Sequence, residues 1–173
     1  MTSNTRSLIA TLIALIALPF AMLGLGLTLT SATDVVIFAI AAMALNILVG
    51  HTGLVSFGHG AFFGIGAYAA GLAQRGWFPG DMLLPGAVGI GVVFVFSLAA
   101  GSLILRRKGV YFSLLTLALT AMLYVVAFRW TELTGGENGL GGIVRPKILG
   151  IDTANPWVFY GLVAIAAFIA VVV

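Results

Sequence analysis

The chain has 173 residues, of which 61% are apolar and only 8% charged, with a mean hydropathy of +1.19. Soluble domains carry about 25% charged residues and need polar surface to wrap a core, so water is excluded as the main solvent and a bilayer takes its place. The absence of cysteine removes disulfides, thiolate metal sites and cysteine nucleophiles, and the net charge of +3 comes from cations scattered through loops rather than from a clustered basic face of the kind nucleic acid requires.

Charges and turn residues punctuate the apolar runs. After Arg6, the stretch 8–29 carries no charge and is long enough to cross ~30 Å of hydrocarbon. Pro19 inside it predicts a kink of the kind neighbouring helices tolerate. A secretory signal peptide is the rival reading of this segment, but the run exceeds the usual apolar core of about 7–15 residues. Asp34 opens a shorter run, 35–49, followed by Gly50-His51-Thr52-Gly53 and a further apolar stretch, 54–73. Gln74, Arg75, Pro79 and Asp81 mark a loop. Runs 83–105 and 110–128 flank the abrupt Arg106-Arg107-Lys108-Gly109 turn. A polar, glycine-rich connection over 129–156 leads to a last apolar run, 157–173. The expected fold is an all-α polytopic transmembrane helix bundle, about five spans in one domain over 1–173, read as a fragment because the chain stops inside an apolar run. Trp77, Trp130 and Trp157 fall at span edges, where an aromatic belt belongs.

Orientation follows from the density of cations. Arg106, Arg107 and Lys108 crowd one very short loop, whereas Arg75, Arg129, Arg145 and Lys147 are spread over the opposite set. Placing the crowded loop in the cytoplasm puts the N-terminus inside as well.

The stretch from Gly53 to Gly71 carries the most pattern. At 100° per residue Gly53, Ser56, Gly60, Gly64, Ala67 and Gly71 share a stripe about 80° wide. Such a stripe either packs closely on another helix or lines a pathway. His59 lies about 120° away from it and, as an ionisable residue in a span, calls for a partner, a cavity or the interface. Asn46, the one carboxamide inside a span, is expected to point into the bundle. In the run 110–128, Ser113, Thr116, Thr120 and Tyr124 share a face that either bonds across helices or lines a polar path.

Catalysis finds no support. Ser56 and His59 are three apart, but no third group orients them and no oxyanion hole is signalled. His51 and His59 lie more than two turns apart with no acidic or thiol companion, so no metal pair forms. The glycines of 134–142 lack the lysine and the preceding strand of a phosphate loop. No cofactor is expected.

Three stretches resemble a known family. Residues 44–68, with Ala44-Leu-Asn-Ile-Leu-Val-Gly50 and Thr52-Gly-Leu-Val-Ser-Phe-Gly-His-Gly-Ala-Phe-Phe-Gly-Ile-Gly-Ala-Tyr68, are similar to the first block of the LivM-type permeases, membrane subunits of ABC importers for branched-chain amino acids. Arg107-Lys-Gly-Val-Tyr-Phe-Ser-Leu-Leu-Thr-Leu-Ala118 and Leu133-Thr-Gly-Gly-Glu-Asn-Gly-Leu-Gly-Gly-Ile143 resemble two further blocks in the same order. The resemblance implies a multi-pass bacterial inner-membrane permease of twice this length. It would work with a homologous permease subunit, two ABC ATPase subunits and a periplasmic substrate-binding protein. Urea and amide importers have similar permeases, and a self-sufficient channel or secondary transporter is the alternative from another class. Under this reading Asn46, Ser56, His59, Gly60, Gly64, Thr116 and Thr120 lie along the substrate pathway, and Gly53, Ala67 and Gly71 pack helices together. The 129–155 loop, with Glu132, Gly135, Gly136, Glu137, Asn138 and Gly139, would face the binding protein on flexible glycines.

Overall fold

The structure is a computed structural model describing residues 3–107, 109–143, 145, 148 and 152–172, with side chains from Thr5 onward; Lys108 and Lys147 of the orientation argument lie outside the described residues. Its helices are α1 (Ser3–Gly24), α2 (Leu29–Thr52), α3 (His59–Gly76), α4 (Leu83–Ile104), α5 (Val110–Arg129), a single turn α6 (Thr131–Thr134) and α7 (Pro156–Val172), with a 3₁₀ turn at Gly136–Asn138. The all-α expectation holds, and α1, α2, α4 and α5 are long and apolar enough to cross a membrane. Two boundaries differ from the sequence reading. The first apolar run does not continue to residue 29, because Gly26 turns to φ 77°. The amides of Gly26 and Leu27 then bond back to the Leu23 and Met22 carbonyls, which closes α1 with a Schellman motif. In consequence α2 begins before Asp34 and runs for 24 residues, well beyond the short run expected.

The chain divides into two compact units. One comprises residues up to 46 together with those from 152. Its core is Leu29, Ala32, Val36, Tyr160 and Ala167, with Leu15, Leu18 and Met22 packed against it. Pro19 sits inside α1. Having no N–H, it leaves the Leu15 carbonyl without its usual intrahelical donor. The Tyr160 hydroxyl of α7 donates to that carbonyl across 145 residues of sequence, and the Phe20 and Trp157 rings lie 6.0 Å apart beside it. The expected accommodation of the proline thus has a named partner.

The other unit spans residues 47 to 151. Here α3 and α4 approach closely through small residues. A Cβ added at Gly89 would lie 2.8 Å from the Gly66 carbonyl oxygen and 3.1 Å from Ala70 Cβ, and one at Gly66 would lie 3.1 Å from Val93. Phe62 and Phe96 meet edge-on at 5.8 Å along the same seam. The helical run expected over 54–73 is shorter than its apolar length. Gly53 takes φ 66°, a left-handed conformation that ends α2, and α3 starts only at His59.

Candidate functional site: a groove beside a broken helix

The break between α2 and α3 fixes the local geometry. Non-helical backbone in an apolar setting has to find hydrogen-bond partners within the protein, and here side-chain hydroxyls supply them. The Thr52 hydroxyl accepts from the Leu54 amide at 3.2 Å, and the Ser56 hydroxyl accepts from the Gly58 amide at the same distance. Three hydroxyls of α5 reach Val55 and Phe57. Ser113 donates to the Val55 carbonyl at 2.6 Å. Thr116 accepts from the Phe57 amide at 3.1 Å. Thr120 donates towards the Phe57 carbonyl at 3.1 Å. The spacing of three and four residues between them is that of one helix face, so a single face of α5 serves Val55 and Phe57. Gly58 lets the two segments touch, since a Cβ there would lie 3.1 Å from Thr116 Cβ and 3.3 Å from its carbonyl oxygen.

Above this contact, α3, α5 and the 131–136 turn enclose a groove of about 560 Å³. Its walls are mainly aliphatic, with Ile65, Leu72, Val92, Leu123, Val126 and Leu133, and they include Tyr68, Thr120, Tyr124 and Trp130. Tyr124 and Phe128 stack at 5.9 Å on the α5 side. The turn is firmly built. The Thr134 hydroxyl lies 2.8 Å from the Trp130 carbonyl and also within reach of that of Ala127, with one proton to share between them, and it accepts from the Gly136 amide. Gly135 takes φ 80°, with space for a Cβ taken up by the Gly139 carbonyl oxygen.

Of the residues singled out from sequence, Gly60, Gly64, Thr120 and Gly136 come together around the groove. Thr116 and Ser56 lie buried in the contact beneath it. His59 is half-buried and opens α3 instead of standing a turn into a span. Asn46 is exposed on α2, where an inward position was expected. The proposed stripe does not survive as one helical face, because Gly53 and Ser56 fall in the break. Neither Gly60 nor Gly64 is a tight contact: a Cβ at either position meets nothing within 4 Å. Ala67 is exposed, whereas Gly71 is buried under Leu140 and Ile143, whose methyl carbons would lie 2.8 Å from an added Cβ. Glu132, Glu137 and Asn138 are exposed on the turn. Gly135, Gly136 and Gly139 there hold positive φ angles within a hydrogen-bonded turn, a defined geometry where flexible glycines were expected.

Missed were the Gly66–Ala70–Gly89 seam and the walls Tyr68, Trp130 and Thr134. Gly66 and Ala70 are four apart, a spacing that was legible in principle but weaker than the longer glycine series beside it.

The family model for the branched-chain amino acid transport system / permease component matches residues 27–173. The chain belongs to this permease family. It is 33% identical over 149 residues to the high-affinity branched-chain amino acid transport system permease protein LivM of Escherichia coli (strain K12), an alignment covering 84% of this chain and 33% of that protein. The figures are the same for LivM of Salmonella typhimurium. The chain therefore spans about a third of the length of the curated relatives it matches, less than the half expected from sequence. No solved structure matches it. Family membership and the apolar helices together make this a multi-pass membrane protein of a transport system.

Proposed function

We propose that the chain forms part of the permease subunit of an ATP-driven importer that carries branched-chain amino acids across the bacterial inner membrane, with its N-terminus in the cytoplasm. The groove between α3 and α5 supports this reading most directly. Its volume of about 560 Å³ suits a small solute, and its walls are mainly aliphatic with hydroxyl-bearing Tyr68, Thr120 and Tyr124 among them. Aliphatic side chains gain about 25 cal/mol for each Å² withdrawn from water, so such walls favour a branched substrate, while hydroxyls serve its charged ends. The names of both relatives specify branched-chain amino acids. ATP hydrolysis belongs to two partner subunits, a homologous permease completes the membrane portion, and a periplasmic binding protein delivers the solute to the 131–139 turn with Glu132 and Glu137. The permease does no covalent chemistry.

The test is leucine uptake by cells carrying the whole importer. At Gly60 and Gly64 an added Cβ meets nothing within 4 Å, so Gly60→Leu and Gly64→Leu extend a branched side chain into the groove that both residues line. Uptake is expected to fall to background at unchanged membrane levels. Normal uptake by both variants would refute the role of the groove, and uptake persisting without the ATPase subunits would make the protein a self-sufficient carrier instead.

A further inference from the structure

The break at 53–58 and the groove share one residue. Thr120 lines the groove and also reaches the Phe57 carbonyl at 3.1 Å. The same hydroxyl lies 2.9 Å from the Thr116 carbonyl of its own helix. A hydroxyl has one proton to donate, so Thr120 serves either the break or α5, and leaving the break does not strand it. Thr116 is built alike: its hydroxyl donates to the Ser113 carbonyl at 2.9 Å while accepting from the Phe57 amide. For these two hydroxyls leaving the break costs little, because each keeps a carbonyl of α5, and the cost of opening falls on the Phe57 amide and carbonyl, which must then turn to water or solute. By contrast the flanks are regular, with α2 closed by the Gly53 amide donating to the Val49 carbonyl at 2.8 Å and α3 helical from His59.

We propose that residues 53–58 form a movable joint at the start of α3, latched to α5 by Ser113, Thr116 and Thr120, and that Thr120 ties the latch to the occupancy of the groove. A solute in the groove that offers an acceptor, such as the carboxylate of an amino acid, draws the Thr120 proton from the Phe57 carbonyl and loosens the joint. This rests on the substrate reading above for its second part only; the latch itself stands on the contacts of α5.

Hydrogen exchange on the intact importer in lipid nanodiscs separates the two. Thr116→Val removes the hydroxyl that accepts from the Phe57 amide in a side chain of equal shape, and exchange at 54–58 is expected to quicken roughly tenfold. Thr116→Ser restores the slow rate. Unchanged exchange in Thr116→Val overturns the latch, whatever the importer carries. Saturating leucine with the binding protein is expected to quicken exchange at 54–58 in the wild type and in Thr120→Ser, but not in Thr120→Val. A leucine response that survives intact in Thr120→Val, or is missing in a wild type that transports leucine, overturns the tie to the groove. Should the wild type fail to take up leucine at all, the substrate reading falls and the latch is judged on the Thr116 variants alone.

Discussion

Tyr160→Phe isolates one hydrogen bond whose worth can be worked from the geometry. The ring is buried at 6% exposure in the core of its unit, so phenylalanine keeps the packing and loses only the hydroxyl that meets the Leu15 carbonyl. Hydrogen bonds between membrane helices average about 0.6 kcal/mol, with a maximum near 1.7. The upper part of that range applies here, because Pro19 cannot supply the usual donor to Leu15 and the carbonyl is left unpaired, at a cost of about 1–3 kcal/mol. A loss of about 1.5 kcal/mol is expected, roughly tenfold in the folding equilibrium. The same substitution in a Pro19→Ala background should cost less than about 0.5 kcal/mol, since the alanine N–H then serves Leu15 as in any helix. The assay is denaturant unfolding of the intact permease in detergent, followed through the fluorescence of Trp157 beside Phe20, as a double-mutant cycle. An equal loss in both backgrounds would refute the link between the proline and the tyrosine.

Two further outcomes follow from the same structure. Gly89→Ala forces a Cβ to 2.8 Å from the Gly66 carbonyl oxygen and should destabilise the α3–α4 pair by about 1–3 kcal/mol, whereas Gly60→Ala meets open space and should unfold within about 0.5 kcal/mol of wild type; thermal unfolding in detergent compares them, and equal effects would count against the seam. Cysteines placed at Arg107 and at the exposed Glu137 bracket α5, whose 20 residues extend about 30 Å, so a membrane-impermeant thiol reagent applied from outside intact cells should label position 137 and spare 107.

Composition and run length made the helical class and most of the spans readable, since few sequences without charge over such distances can do anything but cross lipid. The errors cluster where backbone conformation, not hydropathy, decides. Gly26 and Gly53 end helices by turning to positive φ within stretches that remain apolar throughout, and hydropathy is blind to a turn that keeps its residues oily. The stripe holding Gly60, Gly64 and Ala67 could pack a helix or line a pathway, because periodicity reports which residues share a face and says nothing about what faces them. The true seam of Gly66, Ala70 and Gly89 needs two helices to be seen at once. The hydroxyls of α5 were recognised as one polar face, but their partners lie 58 to 63 residues earlier, in a segment whose irregularity the sequence conceals. Asn46 came out exposed because the cost of meeting lipid constrains the finished assembly, of which its helix is one piece.

The manner in which the break is satisfied bears on how the chain is made. Ribosomes deliver α2 and α3 first, yet the hydroxyls that complete Val55 and Phe57 belong to a helix synthesised some sixty residues later, and the hydroxyl that quiets Leu15 arrives with α7, 145 residues after it. Until those helices emerge, the bare backbone groups must be kept wet at the insertion machinery, so the early spans cannot settle in their final form one at a time. In each of the two units, biogenesis is a matter of late arrivals finishing what the first helices leave open.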